Sequence, residues 1–137
     1  MTPDEVTGGP PLTIFVAPAE GPRAQVAVLE VCGAMLAAMV ATAPSNRLAH
    51  HVYGASDPGG FAAMGVVEVL VHMFDVAGGL GLDWEPPADL CGRALARLFP
   101  AAPSGAEALP TLLWATGRGA LPDHPVQTSW RWDDTPR

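Results

Sequence analysis

The sequence contains no lysine, and its seven basic residues are all arginines set against 14 acidic residues. The formal net charge is −7, and the arginines are scattered along the chain without a basic cluster. Proteins that bind nucleic acid neutralise phosphates with patches of Lys and Arg. The absence of such a patch argues against nucleic acid as a partner.

Cysteine is also scarce. Cys32 and Cys91 stand alone, without CxxC or metal-knuckle spacing, and each lies in an apolar helical pattern. This predicts two reduced core thiols in a cytoplasmic protein. The opening MTPDEVTGGPPL lacks the basic and apolar regions of a secretory signal, which also favours the cytoplasm. No Walker motif, GxGxxG or GxSxG is present, so the sequence offers no support for nucleotide binding or serine hydrolase chemistry.

Apolar residues, by contrast, make up 49% of the 137 residues, and 15 Gly and 15 Pro divide them into segments. The length suits one domain. We expect a Pro/Gly-rich arm over residues 1–22, with one strand at 12–16, followed by a single all-α domain over 23–137. The positions of Pro and Gly predict helices at 23–42, 61–79, 87–100 and 106–116, with a loop at 44–60. They also predict a tail from residue 117, which we expect to pack back through Trp130 and Trp132.

One predicted helix is long enough to raise the question of a membrane. The stretch from Val26 to Ala43 is almost wholly apolar, but it contains Glu30, is rich in alanine and has no flanking aromatic belt. We therefore expect a buried helix and no membrane partner.

The second predicted helix carries three ionisable side chains in an apolar run, GFAAMGVVEVLVHMFDVAGGLGLDW at 60–84. At 100° per residue, Glu68, His72 and Asp75 share one face. A helix that is apolar on its remaining sides is normally buried, so these polar groups need partners. Two interpretations stay open: Glu68 and His72 form an i, i+4 pair, or they bind one divalent ion while Asp75 holds the second imidazole nitrogen.

The same stretch, with the downstream LLWATGRGALP, resembles the DinB-like four-helix-bundle superfamily, in particular its actinobacterial branch named for mycothiol-dependent maleylpyruvate isomerase. The resemblance covers about His50 to Trp132. It implies a helix bundle with a divalent metal, commonly Zn²⁺, bound by Glu68 and His72. It also implies mycothiol or a similar small thiol as co-substrate, activated as a metal-bound thiolate in a transferase or isomerase.

The chain departs from that family at the first bundle helix, which carries a further histidine ligand. No histidine precedes His50 here. The chain is then an incomplete DinB-like bundle, or His50 or His51 substitutes, with His51 preferred, or a second subunit completes the site. Arg118 in the TGR motif is a candidate for binding an anionic substrate, with bonding to the last carbonyls of the fourth helix as the alternative.

The long apolar helices also predict association. The shorter third and fourth helices cannot cover both, and exposed apolar surface marks an interaction site. We therefore expect a homodimer or a complex with another chain. The alternative to an enzyme is a non-catalytic helical interaction module that retains a partial metal site.

Overall fold

The computed structural model describes residues 16–137, and within them four helices dominate. The helices are α1 (Gly21–Thr42), α2 (Pro58–Leu80), α3 (Ala88–Leu98) and α4 (Ala108–Ala115), and a 3₁₀ turn at Pro18–Glu20 leads into α1. The predicted helices are confirmed to within three residues at each end. The predicted strand at 12–16 and most of the arm lie outside the described residues.

A small sheet corrects the expectation of a purely helical chain. Strands β1 (Ala49–His51) and β2 (Gly54–Ser56) form an antiparallel hairpin inside the segment predicted as a loop. His51 pairs with Gly54, so Val52 and Tyr53 form the two-residue turn. The description that holds is therefore a mostly helical domain with one short hairpin.

The core lies between α2, α3 and α4. Val67 of α2, Leu98 of α3 and Leu112 of α4 are fully buried, and the tail closes this core with Trp132. Trp114 packs with the tail in a second buried cluster, and its indole N–H donates to the carbonyl of Pro125 at 2.9 Å. The predicted return of the tail is thus confirmed for Trp132, whereas Trp130 stays at the surface.

Helix α1 is not the buried helix that the sequence predicts, because none of its residues is buried. It rests on α2 along a stripe of half-buried residues at every fourth position, and Cys32 belongs to this stripe instead of the core. Leu36 reaches Gly65 of α2 so closely that a Cβ there would lie 2.5 Å from its Cδ2. Glycine at position 65 therefore allows the two helices to meet.

Asp57 joins three parts of the chain at the start of α2. Its Oδ1 caps the helix by accepting from the Gly60 N–H at 2.7 Å, and it also accepts from Arg97 Nη2 of α3 at 3.2 Å. Its Oδ2 accepts from the backbone N–H of Arg137 at 2.6 Å. Arg97 is thus turned inward to a buried carboxylate.

Burial by itself would raise the pKa of Asp57. The backbone hydrogen bonds from Arg137 and Gly60, together with the Arg97 guanidinium, outweigh that effect and lower the pKa below its usual 3.8. Because the folded-state pKa is depressed, this carboxylate stabilises the fold above the pKa of the unfolded chain. The contribution is lost as the pH falls through the folded-state pKa.

We expect Asp57→Ala to lower the free energy of unfolding by about 2–4 kcal/mol, since it removes a helix cap and leaves Arg97 without its carboxylate. Urea unfolding followed by circular dichroism measures the change. The matched control is Asp89→Ala, because Asp89 lies exposed in the first turn of α3 and its side chain makes no capping bond. That control should cost at most about 1 kcal/mol.

The pH dependence provides a second readout of the same interaction. The stability difference between wild type and Asp57→Asn should be constant at neutral pH and shrink below about pH 4, where the Asp57 carboxyl of the unfolded chain takes up a proton that the folded chain binds only at lower pH. A difference that stays constant down to about pH 2 would contradict an ionised, hydrogen-bonded Asp57.

Candidate functional site

The predicted polar face of α2 is present as a contiguous set of three ionisable side chains. His72 Nε2 lies 3.0 Å from Glu68 Oε2, and His72 Nδ1 lies 3.6 Å from Asp75 Oδ2. The imidazole therefore stands between two carboxylates on successive turns of one helix, which follows from the i, i+4 and i, i+3 spacings. The direct Glu68–His72 contact is present, and so is the approach of Asp75 to the second imidazole nitrogen, so divalent-metal binding at this pair stays a prediction.

These side chains are exposed, which corrects the expectation of a buried polar face. The relative accessibility is 48% for the Glu68 side chain, 63% for His72 and 43% for Asp75. Helix α2 buries only the side that faces α3 and α4, so its polar residues do not need a partner to avoid desolvation. Glu68 therefore does not require a cation to remain ionised.

Arg118 binds Asp75 from the loop after α4. Its Nε donates to both carboxylate oxygens at 3.0 Å, and its Nη2 donates to Oδ2 at 2.8 Å. Its Nη1 donates to the carbonyl of Thr116, the C-cap residue of α4, at 3.0 Å. The alternative role of Arg118, bonding the end of the fourth helix, is thus observed, together with a bidentate ion pair to α2.

Asp75 is held in its charged form by this pair. The hydrogen bond from Arg118 lowers the pKa of Asp75 below its usual 3.8, against the opposing effect of partial burial, and the nearby His72 adds to the lowering. The guanidinium, more than the imidazole, therefore determines the ionisation of this carboxylate.

His51 is not brought to Glu68 and His72. It lies at the hairpin, with its ring centroid 5.4 Å from that of Trp132 and 6.4 Å from that of Phe61. Its Nδ1 is 3.7 Å from Asp134 Oδ2. Within residues 16–137 no group of three His, Cys, Asp or Glu side chains is placed to hold a metal ion. His51 as the third ligand of a single-chain site therefore has no geometric support.

The Glu68–His72 pair by itself is suited to two positions of a metal site. Ligands of one tetrahedral Zn²⁺ lie roughly 3.3 Å apart, because each is about 2.0–2.1 Å from the ion. The observed 3.0 Å between Glu68 Oε2 and His72 Nε2 is close to that separation. Both groups are accessible from solvent, so two ligands fit, while the described part of the chain does not complete the set.

Comparison with family models, curated proteins and solved structures finds no match to this chain. The DinB-like resemblance, and the mycothiol chemistry that it implies, therefore stay predictions.

The sequence does not predict two of the contacts between polar side chains, Asp75 with Arg118 and His51 with Asp134. Asp75 and Arg118 are 43 residues apart, and no spacing rule connects them. His51 and Asp134 are likewise joined only by the folded tail. The TGR motif makes Arg118 a candidate binding residue, but its contact with Asp75 is visible only in the folded structure.

We expect Arg118→Gln to raise the pKa of Asp75 toward 3.8, because the substitution removes its principal hydrogen-bond donor and nearest full charge. Titration of the Asp75 side-chain carboxyl by NMR measures the change. His72→Gln is the matched control and should raise this pKa by less. Since the Asp75 carboxylate is exposed, although the Arg118 side chain is half-buried, neither variant should change the free energy of unfolding by more than about 1 kcal/mol. An equal or larger effect of His72→Gln would mean that His72, and not Arg118, chiefly lowers the pKa of Asp75.

Proposed function

We propose that this protein is a helical interaction module that forms a homodimer through the exposed face of α1 and α2. The observation that supports this best is the amount of large apolar surface on these two helices. The exposed residues of this α1–α2 face are Val31, Met35 and Met39 of α1, and Val69, Met73, Val76 and Leu80 of α2. At 100° per residue each set forms one stripe on its helix, and exposed apolar surface of this kind marks protein association.

The arrangement of the two helices favours a second copy as the occupant. The end of α1 lies beside the start of α2, where Val40, Ala43, Pro58 and Gly59 line one cleft, and Leu36 contacts Gly65 further along. The helices are therefore antiparallel, and at 22 and 23 residues they are nearly equal in length. A two-fold axis would stack one such pair on another and give a layer of four helices, a common way to cover apolar helix faces.

A membrane is the competing occupant, since both long helices, Pro18–Thr42 and Pro58–Leu80, are long and apolar enough to cross one. Length and composition alone are weak evidence, because core helices of soluble proteins share them. Each helix also carries an exposed carboxylate near its midpoint, Glu30 in α1 and Glu68 in α2. A charged residue at the centre of a bilayer costs about 2.5–3.5 kcal/mol on insertion scales. We therefore favour a protein partner and retain the cytoplasm as the proposed location.

Divalent-metal binding at Glu68 and His72 is the second candidate. It is favoured by the 3.0 Å separation of Oε2 and Nε2 and by the contact of Asp75 with the other imidazole nitrogen. A carboxylate and an imidazole suit Zn²⁺ and similar ions. Thiol transfer or isomerisation with mycothiol depends on the family resemblance alone, so we make it conditional on a metal site with a free position.

Light scattering coupled to size exclusion tests the dimer. We expect the wild type at micromolar concentration to have twice the monomer mass. Met35→Glu should weaken the dimer at least tenfold, since burying a methionine is worth about 1.5–3 kcal/mol and the position occurs twice in a symmetric interface. Val126→Glu is the control, because Val126 is equally exposed but lies in the tail.

Two outcomes would contradict the dimer. One is a wild type that stays monomeric up to hundreds of micromolar. The other is equal weakening by Met35→Glu and Val126→Glu, which would place the contact elsewhere. Stable association of monomers with lipid vesicles would favour the membrane instead.

Metal analysis by plasma mass spectrometry tests the second candidate. We expect the wild type, after reconstitution with Zn²⁺ and desalting, to retain the ion, and Glu68→Gln and His72→Ala to lose it. His124→Ala is the matched control, because His124 is an exposed histidine outside this cluster. One ion per two chains would favour ligands from both copies of a dimer. Metal-free wild type would mean that Glu68 and His72 serve only as an ion pair.

A further inference from the structure

Three rings meet at the hairpin, away from the α1–α2 face. The ring centroid of His51 lies 5.3 Å from that of Tyr53 and 5.4 Å from that of Trp132, and Tyr53 lies 6.0 Å from Trp132. The planes are inclined to one another by 46° to 70°, so the rings form a corner instead of a stack. We call His51, Tyr53 and Trp132 the aromatic corner.

The carboxylate of Asp134 lies buried at this corner. Asp134 is 8% exposed, and its Oδ2 has no hydrogen-bond partner among residues 16–137. His51 Nδ1 lies 3.7 Å from this oxygen and already accepts a hydrogen bond from the Tyr53 N–H at 3.4 Å. An unpaired buried carboxylate is costly, which makes Asp134 a strong acceptor for a cation that reaches it.

The corner and the carboxylate border one cavity. Its volume is about 310 Å³, and its lining includes Tyr53, Trp132 and Asp134 together with Arg131, Asp133 and Thr135. This volume is near the lower limit for small-molecule sites, which run from about 300 to 1,000 Å³. The neighbouring Asp133 is already occupied, because it accepts from Arg137 Nη2 at 2.9 Å and from the Thr135 N–H at 3.0 Å. Asp134 is therefore the carboxylate left for a ligand.

We propose that this cavity binds a small organic ammonium ion. The faces of Trp and Tyr attract cations, with Trp the strongest, and aromatic cages are a recurring solution for quaternary ammonium groups. The unpaired Asp134 would supply the opposite charge, and the net charge of −7 favours the approach of a cation. A metal ion is a poorer fit, since the described residues offer no set of three ligands here.

The site is independent of the proposed dimer. Its residues lie in the hairpin and the tail, and none belongs to the α1–α2 face. Failure of the dimer would leave this proposal standing, and failure of this proposal would leave the dimer standing.

The experiment is an NMR titration of the full chain with choline. The reporter is the indole N–H of Trp132, which is buried and has no hydrogen-bond partner within the described residues. The probe for comparison is 3,3-dimethylbutan-1-ol, which has the shape of choline without its charge. We expect a saturable shift with choline and at least tenfold weaker binding of the neutral alcohol.

Two variants locate the interaction, and one is the control. Asp134→Asn should weaken choline binding at least tenfold. Asp133→Asn, which alters a carboxylate that is already paired, should weaken it less than threefold. If Asp134→Asn loses its folded spectrum, Tyr53→Leu tests the site instead. Tyr53 is 45% exposed in a turn, so its replacement should not unfold the chain. It should weaken choline binding about three- to tenfold.

Three outcomes would overturn the proposal. The first is no saturable shift up to tens of millimolar choline, which would mean that Asp134 Oδ2 and the indole N–H of Trp132 bind only water. The second is equal binding of choline and the neutral alcohol, which would make the cavity merely apolar. The third is equal weakening by Asp133→Asn and Asp134→Asn.

Discussion

The carboxylate of Asp57 is the constraint on which the rest of the fold depends. It accepts hydrogen bonds from residues 40 and 80 positions further along the chain, so one side chain fixes α3 and the tail against the start of α2. Gly60 makes this close approach possible, because a Cβ there would clash with Ser56 Oγ and Arg97. With the tail held in this way, Trp132 enters the core and Asp134 reaches the hairpin. The core and the aromatic corner therefore share one anchor.

The helices were predictable because local signals agreed with the final structure. Proline and glycine mark the ends of every helix, and Gly81 ends α2 in a left-handed conformation. The Gly78–Gly79 pair, by contrast, does not stop α2, since an αL cap is available two residues later. Burial was not predictable in the same way. Apolar composition favours contact but does not specify a partner. Within residues 16–137, α2 is covered in part by α1, α3, α4 and the tail, and α1 makes a single stripe of contact with α2.

The polar contacts likewise divide into local ones, which the sequence predicts, and tertiary ones, which it does not. The Glu68–His72–Asp75 cluster could be predicted because it depends on helical spacing alone. The Asp75–Arg118 pair and the His51–Asp134 contact could not, because they are tertiary contacts between distant segments. The hairpin was missed for a related reason. Its strands are three residues long, contain two adjacent histidines, and have too few alternating positions to identify a buried face.

The exposed apolar face and the exposed charges of α2 impose a condition on any partner. Glu68 and His72 lie on the same helix as Val69 and Met73, so a chain that covers the apolar residues also desolvates the charged ones. Removing an ion pair from water costs several kcal/mol unless the pair is well compensated. The 3.0 Å contact between Glu68 and His72 provides part of that compensation, and Arg118 provides it for Asp75. In the proposed dimer, a metal ion shared across the two-fold axis would provide the rest, and assembly and metal binding would then reinforce each other.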